Sequence, residues 1–158
     1  MENQLLVRKI DHGTVIDHIP AWKAENVLKL LDLEKIRSMP DVSLVSLNNV
    51  LSKKYGRKDV IKLNHYHLEE GDADLVCLVY PMVSVNYIED WEPTKYRPRV
   101  PERVVGRIRC PEVSCITNSP REPIVSTFSV LREFNALQCD YCDSLLDFSE
   151  MPNYVKTT

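Results

Sequence analysis

Four cysteines in the last third of the chain carry the clearest signal for chemistry. Cys110 and Cys115 form a C-x4-C pair, and Cys139 and Cys142 form a C-x2-C pair after 23 intervening residues. Two such pairs supply the four thiolates that a tetrahedral Zn²⁺ needs, each pair lying in a tight turn. Because protein sulfur would fill all four positions, no water is left for the ion to activate. The expected role of the zinc is therefore structural.

Disulfide bonding, redox activity and simple burial remain alternative roles for these cysteines. Disulfides suit secreted proteins, but the first residues, Met1 to Gln4, show no basic segment followed by an apolar one. A redox C-x-x-C would use only Cys139 and Cys142, and the four thiols could simply be buried. The fifth cysteine, Cys77, lies in the apolar run L-V-C-L-V-Y, which favours an inert buried thiol.

Candidates for catalysis are few. Asp17 and His18 are adjacent on a predicted strand, so their side chains are expected on opposite faces and not as a hydrogen-bonded pair. His65 and His67 would share a strand face and could hold a metal as H-x-H, although a solvated pair is the more common case. The scattered glycines form no phosphate-binding loop. We predict no catalytic residue.

Lysines offer a different way to hold phosphate. Lys58 and Lys62 are four residues apart, so they share a face of a predicted strand, and Lys95 follows the last predicted strand of the N-terminal part. From the residues alone, a solvated basic edge that protects a sheet from further pairing is the more common case.

Composition limits the function classes. The 158 residues carry a net charge of -3, and neither half of the chain has an excess of basic residues, which argues against a nucleic-acid partner. No apolar run approaches the length of a membrane span, so no membrane association is predicted. Free thiols without a signal peptide indicate the cytoplasm.

The N-terminal part shows alternating strand and helix signals. Leu5 to Ile10 and Thr14 to Ile19 are extended candidates, and the stripe Ala24, Val27, Leu28 and Leu31 predicts a helix. Strands are expected over 42–51 and 59–63, and a last strand over 82–88. The acidic start of 68–80 favours a helix there, although its second half would also suit a buried strand. This β-α-β-β-α-β order predicts an α+β, ferredoxin-like domain, with an antiparallel sheet and helices on one face.

Prolines separate this part from the cysteine-bearing one. Residues 93–101 contain three prolines and predict a stiff connector. Beyond it, short strands over 103–109, 124–131 and 134–139 predict a small antiparallel-β, zinc-ribbon-like domain, which metal binding would stabilise. The tail after Met151 is expected to fray. The predicted domains are 1–98 and 99–158.

Several motifs, taken in order, resemble a known family. They are G-T-V-I-D-H-I-P (13–20), G-R-K-D-V-I-K (56–62), V-N-Y-I (85–88), R-P-x-x-P-E-R (97–103) and the cysteine quartet. Together they resemble the regulatory chain of aspartate carbamoyltransferase over nearly the whole length, from about Leu5 to Phe148. The motifs are specific, because an eight-residue match near the start and the two cysteine pairs near the end are hard to obtain together by chance.

The resemblance implies a non-catalytic subunit in pyrimidine biosynthesis. An N-terminal allosteric domain would bind ATP as activator and CTP as inhibitor, with UTP assisting, and regulatory dimers would bridge catalytic trimers through the zinc domain. By position, Asp17 would contact ribose, Lys62 the ribose or base, and Lys95 the phosphates. The remaining implied nucleotide-site positions are Val7, Ile10, His18, Lys58, Val60, Asn86 and Ile88.

Two rival classes remain. One is a zinc-ribbon adaptor that binds nucleic acid or protein without nucleotide regulation. The other is a free-standing enzyme with an unrecognised site. Salt-dependent retention on DNA or RNA would favour the first, and turnover of carbamoyl phosphate by the isolated chain would favour the second.

Overall fold

The computed structural model of the chain describes residues 8–156, which form two antiparallel sheets. The elements of the N-terminal part are β1 (Gly13–Pro20), α1 (Ala24–Leu30), α2 (Leu33–Arg37), β2 (Ser43–Ser52), β3 (Gly56–Asn64), α3 (Glu70–Val79), β4 (Ser84–Glu89) and β5 (Glu92–Lys95). Those of the C-terminal part are β6 (Arg103–Val105), β7 (Thr127–Leu131), β8 (Ala136–Cys139), β9 (Leu145–Asp147) and three 3₁₀ segments, Ile116–Asn118, Arg132–Phe134 and Phe148–Tyr154.

The first sheet has the strand order β2-β3-β1-β4-β5, with every neighbouring pair antiparallel. Its first four strands, with α1 and α3, confirm the predicted ferredoxin-like β-α-β-β-α-β order. Ile16 and Val85 from the sheet are buried in one core with Val27 of α1 and Val76 of α3. The helices therefore cover one face of the sheet and leave the other open.

The proline-rich connector begins later than the sequence indicated. Residues 92–95 form β5, an exposed edge strand that pairs with β4 although it contains Pro93. Proline is tolerated in an edge strand because its nitrogen, which carries no hydrogen, can face solvent. No hydrogen bond between strands is then lost. The connector itself is held to α3, since the Tyr96 hydroxyl and the Arg99 amide both donate to Asp74 Oδ1 at 2.8 Å.

Two local expectations for the N-terminal part need correction. Residues 8–10 of the first strand candidate lie outside any strand, and residues 5–7 lie outside the described part of the chain. Helix α2 was not predicted, although Asp32 caps it by accepting a hydrogen bond from the Lys35 amide. Helix α3 is confirmed within the predicted range, and most of its residues are buried.

The second sheet has the order β6-β7-β8-β9, and β9 was not predicted. The strand expected over 103–109 ends at Val105 because Gly106 takes a positive φ of 71°. The expectation that the tail frays after Met151 is wrong for its described part. Met151 is fully buried, the Arg109 amide donates to the Tyr154 carbonyl at 2.7 Å, and Ile108 pairs with Val155.

The two parts of the chain are joined by a continuous apolar core. The C-terminal 3₁₀ segment packs against α1 and α3, which places Met151 in the same cluster as Leu30. Arg107 crosses this junction: one guanidinium nitrogen pairs with the buried Asp72 carboxylate, and the other donates to the Leu30 carbonyl at 2.6 Å. We call the contact of Arg107 with Asp72 and Leu30 the seam.

Candidate functional site

The four predicted metal ligands converge on one point. Their sulfurs lie within 4.8 Å of one another. The Cys110 and Cys142 sulfurs are 3.5 Å apart, and the Cys115 and Cys139 sulfurs are 3.8 Å apart. A tetrahedron of thiolates about 2.3 Å from a zinc ion has edges of about 3.8 Å. The four sulfurs are therefore spaced for a metal and too far apart for disulfides, whose bond is about 2.05 Å.

Backbone turns and two hydroxyls support the cysteine cluster. The Asn118 side-chain amide donates to the Cys110 carbonyl at 3.0 Å and to the Glu112 carbonyl at 2.8 Å, which fixes the first turn. Thr117 Oγ1 lies 3.2 Å from the Cys115 sulfur, and Ser144 Oγ lies 3.2 Å from the Cys142 sulfur. Such outer contacts orient the ligands of a metal site.

Charge explains why the cluster needs a cation. Burial raises the pKa of the Cys110 and Cys139 thiols, because a thiolate there is removed from water. The Ser144 hydroxyl, by contrast, lowers the pKa of Cys142 to about 7. Gathering four thiolates in this interior is unfavourable unless a divalent ion neutralises them, so the donor set fits a structural metal.

A second group of predicted residues lies on the open face of the first sheet. Strand register aligns Lys62 with Val15, Val15 with Asn86, and Asn86 with Lys95 across four strands. Because side chains alternate along a strand, this row lies opposite the buried Ile16. The sheet thus brings Lys62, Asn86 and Lys95 to one surface.

Other predicted residues border the same row. By alternation from the row, Asp17, Val60 and Ile88 share its face. Val60 and Ile88 are buried and Ile10 is half-buried. Lys62 donates a hydrogen bond to the Arg8 carbonyl at 3.2 Å, and its partial burial lowers the pKa of its ammonium group. Val7 lies outside the described residues.

The expectation that Asp17 and His18 point to opposite faces is wrong. The register of β1 shifts between Ile16 and Ile19, and His18 has a φ of 57°, so a bulge interrupts the alternation. The His18 Nδ1 atom consequently lies 3.9 Å from the Asp17 carboxylate, which is too far for a hydrogen bond, so the expectation that the two side chains do not form a hydrogen-bonded pair holds. The Lys58 ammonium pairs with the same carboxylate at 2.9 Å, which gathers three of the predicted residues at one end of the face.

The expectation that His65 and His67 share a strand face is also wrong. Strand β3 ends at Asn64 and His65 has a φ of 62°, so His65 and His67 do not share a strand face. Instead, the His67 ring stacks on His12 with centroids 4.4 Å apart. His12 gave no signal in the sequence, because only the register of β1 brings it close to His67.

The seam residues Asp72 and Arg107 were likewise missed. They are 35 positions apart, and no local pattern pairs a helix carboxylate with an arginine of the other part of the chain. A charged residue on the buried face of α3 was the only available signal, since a buried Asp is nearly always paired.

No helix within residues 8–156 is long and apolar enough to cross a membrane.

The fold and the two sites define a two-part α+β chain with a four-cysteine metal centre and an open sheet face that bears lysines. The family profile of the aspartate carbamoyltransferase regulatory chain matches it in both parts, with the allosteric domain at residues 5–97 and the metal binding domain at residues 102–152. The chain therefore belongs to the family of aspartate carbamoyltransferase regulatory chains, which are non-catalytic subunits.

Individual relatives are similar in sequence to this chain along most of their length. The regulatory chain of Thermofilum pendens is 41% identical over 153 residues, covering 96% of this chain and 94% of its own. The regulatory chain of Hyperthermus butylicus is 43% identical over 144 residues, which cover 90% of this chain and 88% of the relative. The regulatory chain of Haloquadratum walsbyi is 41% identical over 155 residues, which cover 98% of this chain and 84% of the relative.

Proposed function

We propose that the allosteric domain binds ATP and CTP competitively on its open sheet face, with UTP as an assisting inhibitor, and passes the effect to the catalytic chain. The observation that carries this proposal is the row Lys62, Val15, Asn86 and Lys95, flanked by Asp17. A nucleoside triphosphate needs cations for its phosphates and a carboxylate for its ribose hydroxyls, and this face offers both.

The proposed roles follow the arrangement of the face. Lys95 would hold phosphates, Lys62 the ribose or base, and Asp17 the ribose hydroxyls. His18 and Lys58, gathered at the bulge, would lie near the phosphates. Apolar and main-chain contacts to the base are assigned to Val7, Ile10, Val60 and Ile88, with Asn86 beside them. An open face with few fixed contacts suits two different bases at modest affinity.

The proposed role of the metal-binding domain is to hold one structural Zn²⁺ and to contact the catalytic chain. Val113, inside the first cysteine turn, is 87% exposed, and Ile116 and Tyr141 beside the cluster are also exposed. Apolar and aromatic side chains around a rigid centre are typical of a protein interface. The ion would shape this surface, so loss of the metal would also remove the contact.

The proposed assembly is the one that the family resemblance implies. We propose domains at 1–98 and 99–158, a regulatory dimer, catalytic trimers as partners, and a cytoplasmic role in pyrimidine biosynthesis without nucleic acid or membrane. Nucleotide binding would shift populations between tense and relaxed arrangements of the trimers. The seam supports this coupling, because Arg107 of the metal-binding domain contacts α1 and α3 of the allosteric domain.

Calorimetric titration of ATP and CTP into the zinc-loaded chain tests the effector site. We expect both nucleotides to bind, and CTP to be displaced by ATP. Replacing Lys62 or Lys95 with alanine should weaken each nucleotide about 10- to 100-fold, since a charge-assisted hydrogen bond contributes about 1.5–3 kcal/mol.

Lys29→Ala is the matched control. Lys29 is an exposed lysine of α1, the helix layer on the opposite side of the sheet, so its loss removes the same charge and should leave both affinities unchanged. If all three variants bound the nucleotides equally more weakly, the loss would come from the change in net charge and not from a contact at the open face. Unchanged binding in Lys62→Ala and Lys95→Ala would place the nucleotide elsewhere, and no binding in the chain or in its complex would favour the adaptor class.

A further inference from the structure

We propose a second metal site, formed by His12, His67 and Glu89 at the rim of the allosteric domain, which takes a divalent transition-metal ion such as Zn²⁺ or Ni²⁺. One ligand atom from each of these side chains lies within 4.8 Å of the other two. Imidazole nitrogens suit zinc, nickel and copper, and a carboxylate completes a three-ligand set that leaves positions for water.

The sheet fixes the backbone at all three ligands. His12 directly precedes β1, where Gly13 pairs with both Asn64 of β3 and Ile88 of β4. Gly13 has a φ of 147°, and a Cβ there would overlap the Leu63 carbonyl oxygen, so only glycine lets β1 begin this close to β3. The His65 amide then donates to the His12 carbonyl at 2.8 Å. These contacts hold His12 beside the start of the loop that carries His67.

His67 is oriented as metal-binding histidines usually are. Its Nε2 lies 3.3 Å from the Ile88 carbonyl oxygen, a contact that places the proton on Nε2. Its Nδ1 then presents a lone pair to the Glu89 carboxylate, 3.8 Å away. A positive charge between these two electron-rich atoms would stabilise both. That charge is either a proton on His67 or a bound cation.

The position of His12 favours the cation. Its ring stacks on His67 at 4.4 Å with an interplanar angle of 27°. A proton would satisfy Nδ1 and Glu89 alone and would give His12 no role, whereas a metal uses all three groups. A metal about 2.0–2.2 Å from each ligand needs donor atoms about 3–3.5 Å apart. Rotation of the exposed His12 and Glu89 side chains closes the remaining distance.

This site is separate from both sites described above. Glu89 follows Ile88 in β4, so its side chain alternates away from the face that bears Lys62 and Lys95. The cysteine cluster lies in the other domain. A depression of about 410 Å³, lined in part by Glu70, Tyr87 and Thr94, adjoins His67 and Glu89 and leaves room for water ligands. An open site of this kind binds reversibly and does not hold the fold.

Nickel titration of the untagged, zinc-loaded chain tests the proposal. We expect one Ni²⁺ per chain by calorimetry, at micromolar affinity, and at least tenfold weaker binding in both His12→Ala and His67→Ala. Glu89→Gln keeps the size of the side chain and should weaken binding without changing stability. His65→Ala is the matched control, because the His65 ring lies outside the three-ligand set and 6.1 Å from His12.

Nitrogen NMR of the histidine rings gives an independent readout. Adding Zn²⁺ beyond the one structural equivalent should shift the His67 Nδ1 resonance and one His12 nitrogen while His65 stays in place. Binding that survives His67→Ala, or equal loss in His65→Ala, would overturn the site. Ring resonances that respond to pH but not to Zn²⁺ would show that a proton fills the gap and would overturn it equally.

Discussion

Replacing Cys139 with serine is expected to unfold the metal-binding domain and to abolish its binding to the catalytic chain. Structural zinc contributes on the order of 10 kcal/mol to folding in small domains, and a domain of about 60 residues is only marginally stable by burial alone. Zinc content should fall to near zero, and the far-ultraviolet spectrum should lose the signal of the second sheet. Strong chelation of the unmodified chain should give the same result.

Cys77→Ala separates loss of the metal from loss of a thiol. Cys77 is buried in α3, where desolvation raises its pKa to about 11, and it lies outside the cluster. This variant should keep one zinc per chain and its catalytic partner, at a cost of about 1 kcal/mol for the small cavity. A Cys139→Ser chain that lost its zinc but stayed folded and bound catalytic trimers would show that the four-cysteine site is not structural.

Arg107→Leu is expected to lower the free energy of unfolding at neutral pH by about 3 kcal/mol. Removing one partner of a buried ion pair leaves the other charge without compensation, which costs about 3–5 kcal/mol. We expect a loss of about 3 kcal/mol, at the lower end of this range, because solvent screens Arg107, which is one-third exposed. The loss is still substantial because the Asp72 side chain is only 5% exposed. Urea unfolding of the zinc-loaded chain measures the loss.

The pH dependence of this variant has a definite sign. Burial raises the pKa of Asp72, and the Arg107 guanidinium opposes that rise. Without Arg107 the pKa should rise further, so the folded chain binds a proton more readily than the unfolded one. The deficit is then present at neutral pH and shrinks as the pH falls through the raised pKa of Asp72.

The double variant Asp72→Asn/Arg107→Leu is the control for this interpretation. It removes both charges and should recover much of the stability lost in Arg107→Leu, since a neutral amide is less costly to bury. A deficit that is the same at pH 5 and pH 7.5, or that persists in the double variant, would mean that Arg107 acts through packing alone.

Local signals could be read from the sequence, and long-range ones could not. The cysteine quartet and the ferredoxin-like order depend on spacing and periodicity within short windows, and both were predicted. The Asp17 and His18 geometry was missed because a bulge in β1 reverses the alternation, and nothing in G-T-V-I-D-H-I-P marks where it falls. His12 near His67 likewise depends on the pairing register of β1.

Tertiary burial accounts for the rest of the differences. The tail after Met151 was expected to fray because chain termini usually do, but Met151 fills the junction between the two domains. Arg107 could not be matched to Asp72 without the relative placement of the two sheets. The open face that carries Lys62 and Lys95 could be predicted only in part. The alternation of side chains within one strand could be predicted from the sequence, but the alignment of the two lysines across four strands could not.

The response of the reconstituted enzyme to nucleotides tests the central claim most directly. Catalytic trimers assembled with this chain are assayed at subsaturating aspartate, with and without ATP and CTP. We expect ATP and CTP to change the rate in opposite directions, with both responses lost in Lys95→Ala assemblies that retain zinc and subunit stoichiometry. A rate that neither nucleotide changes, in an intact assembly, would contradict the assignment of the open sheet face as an effector site.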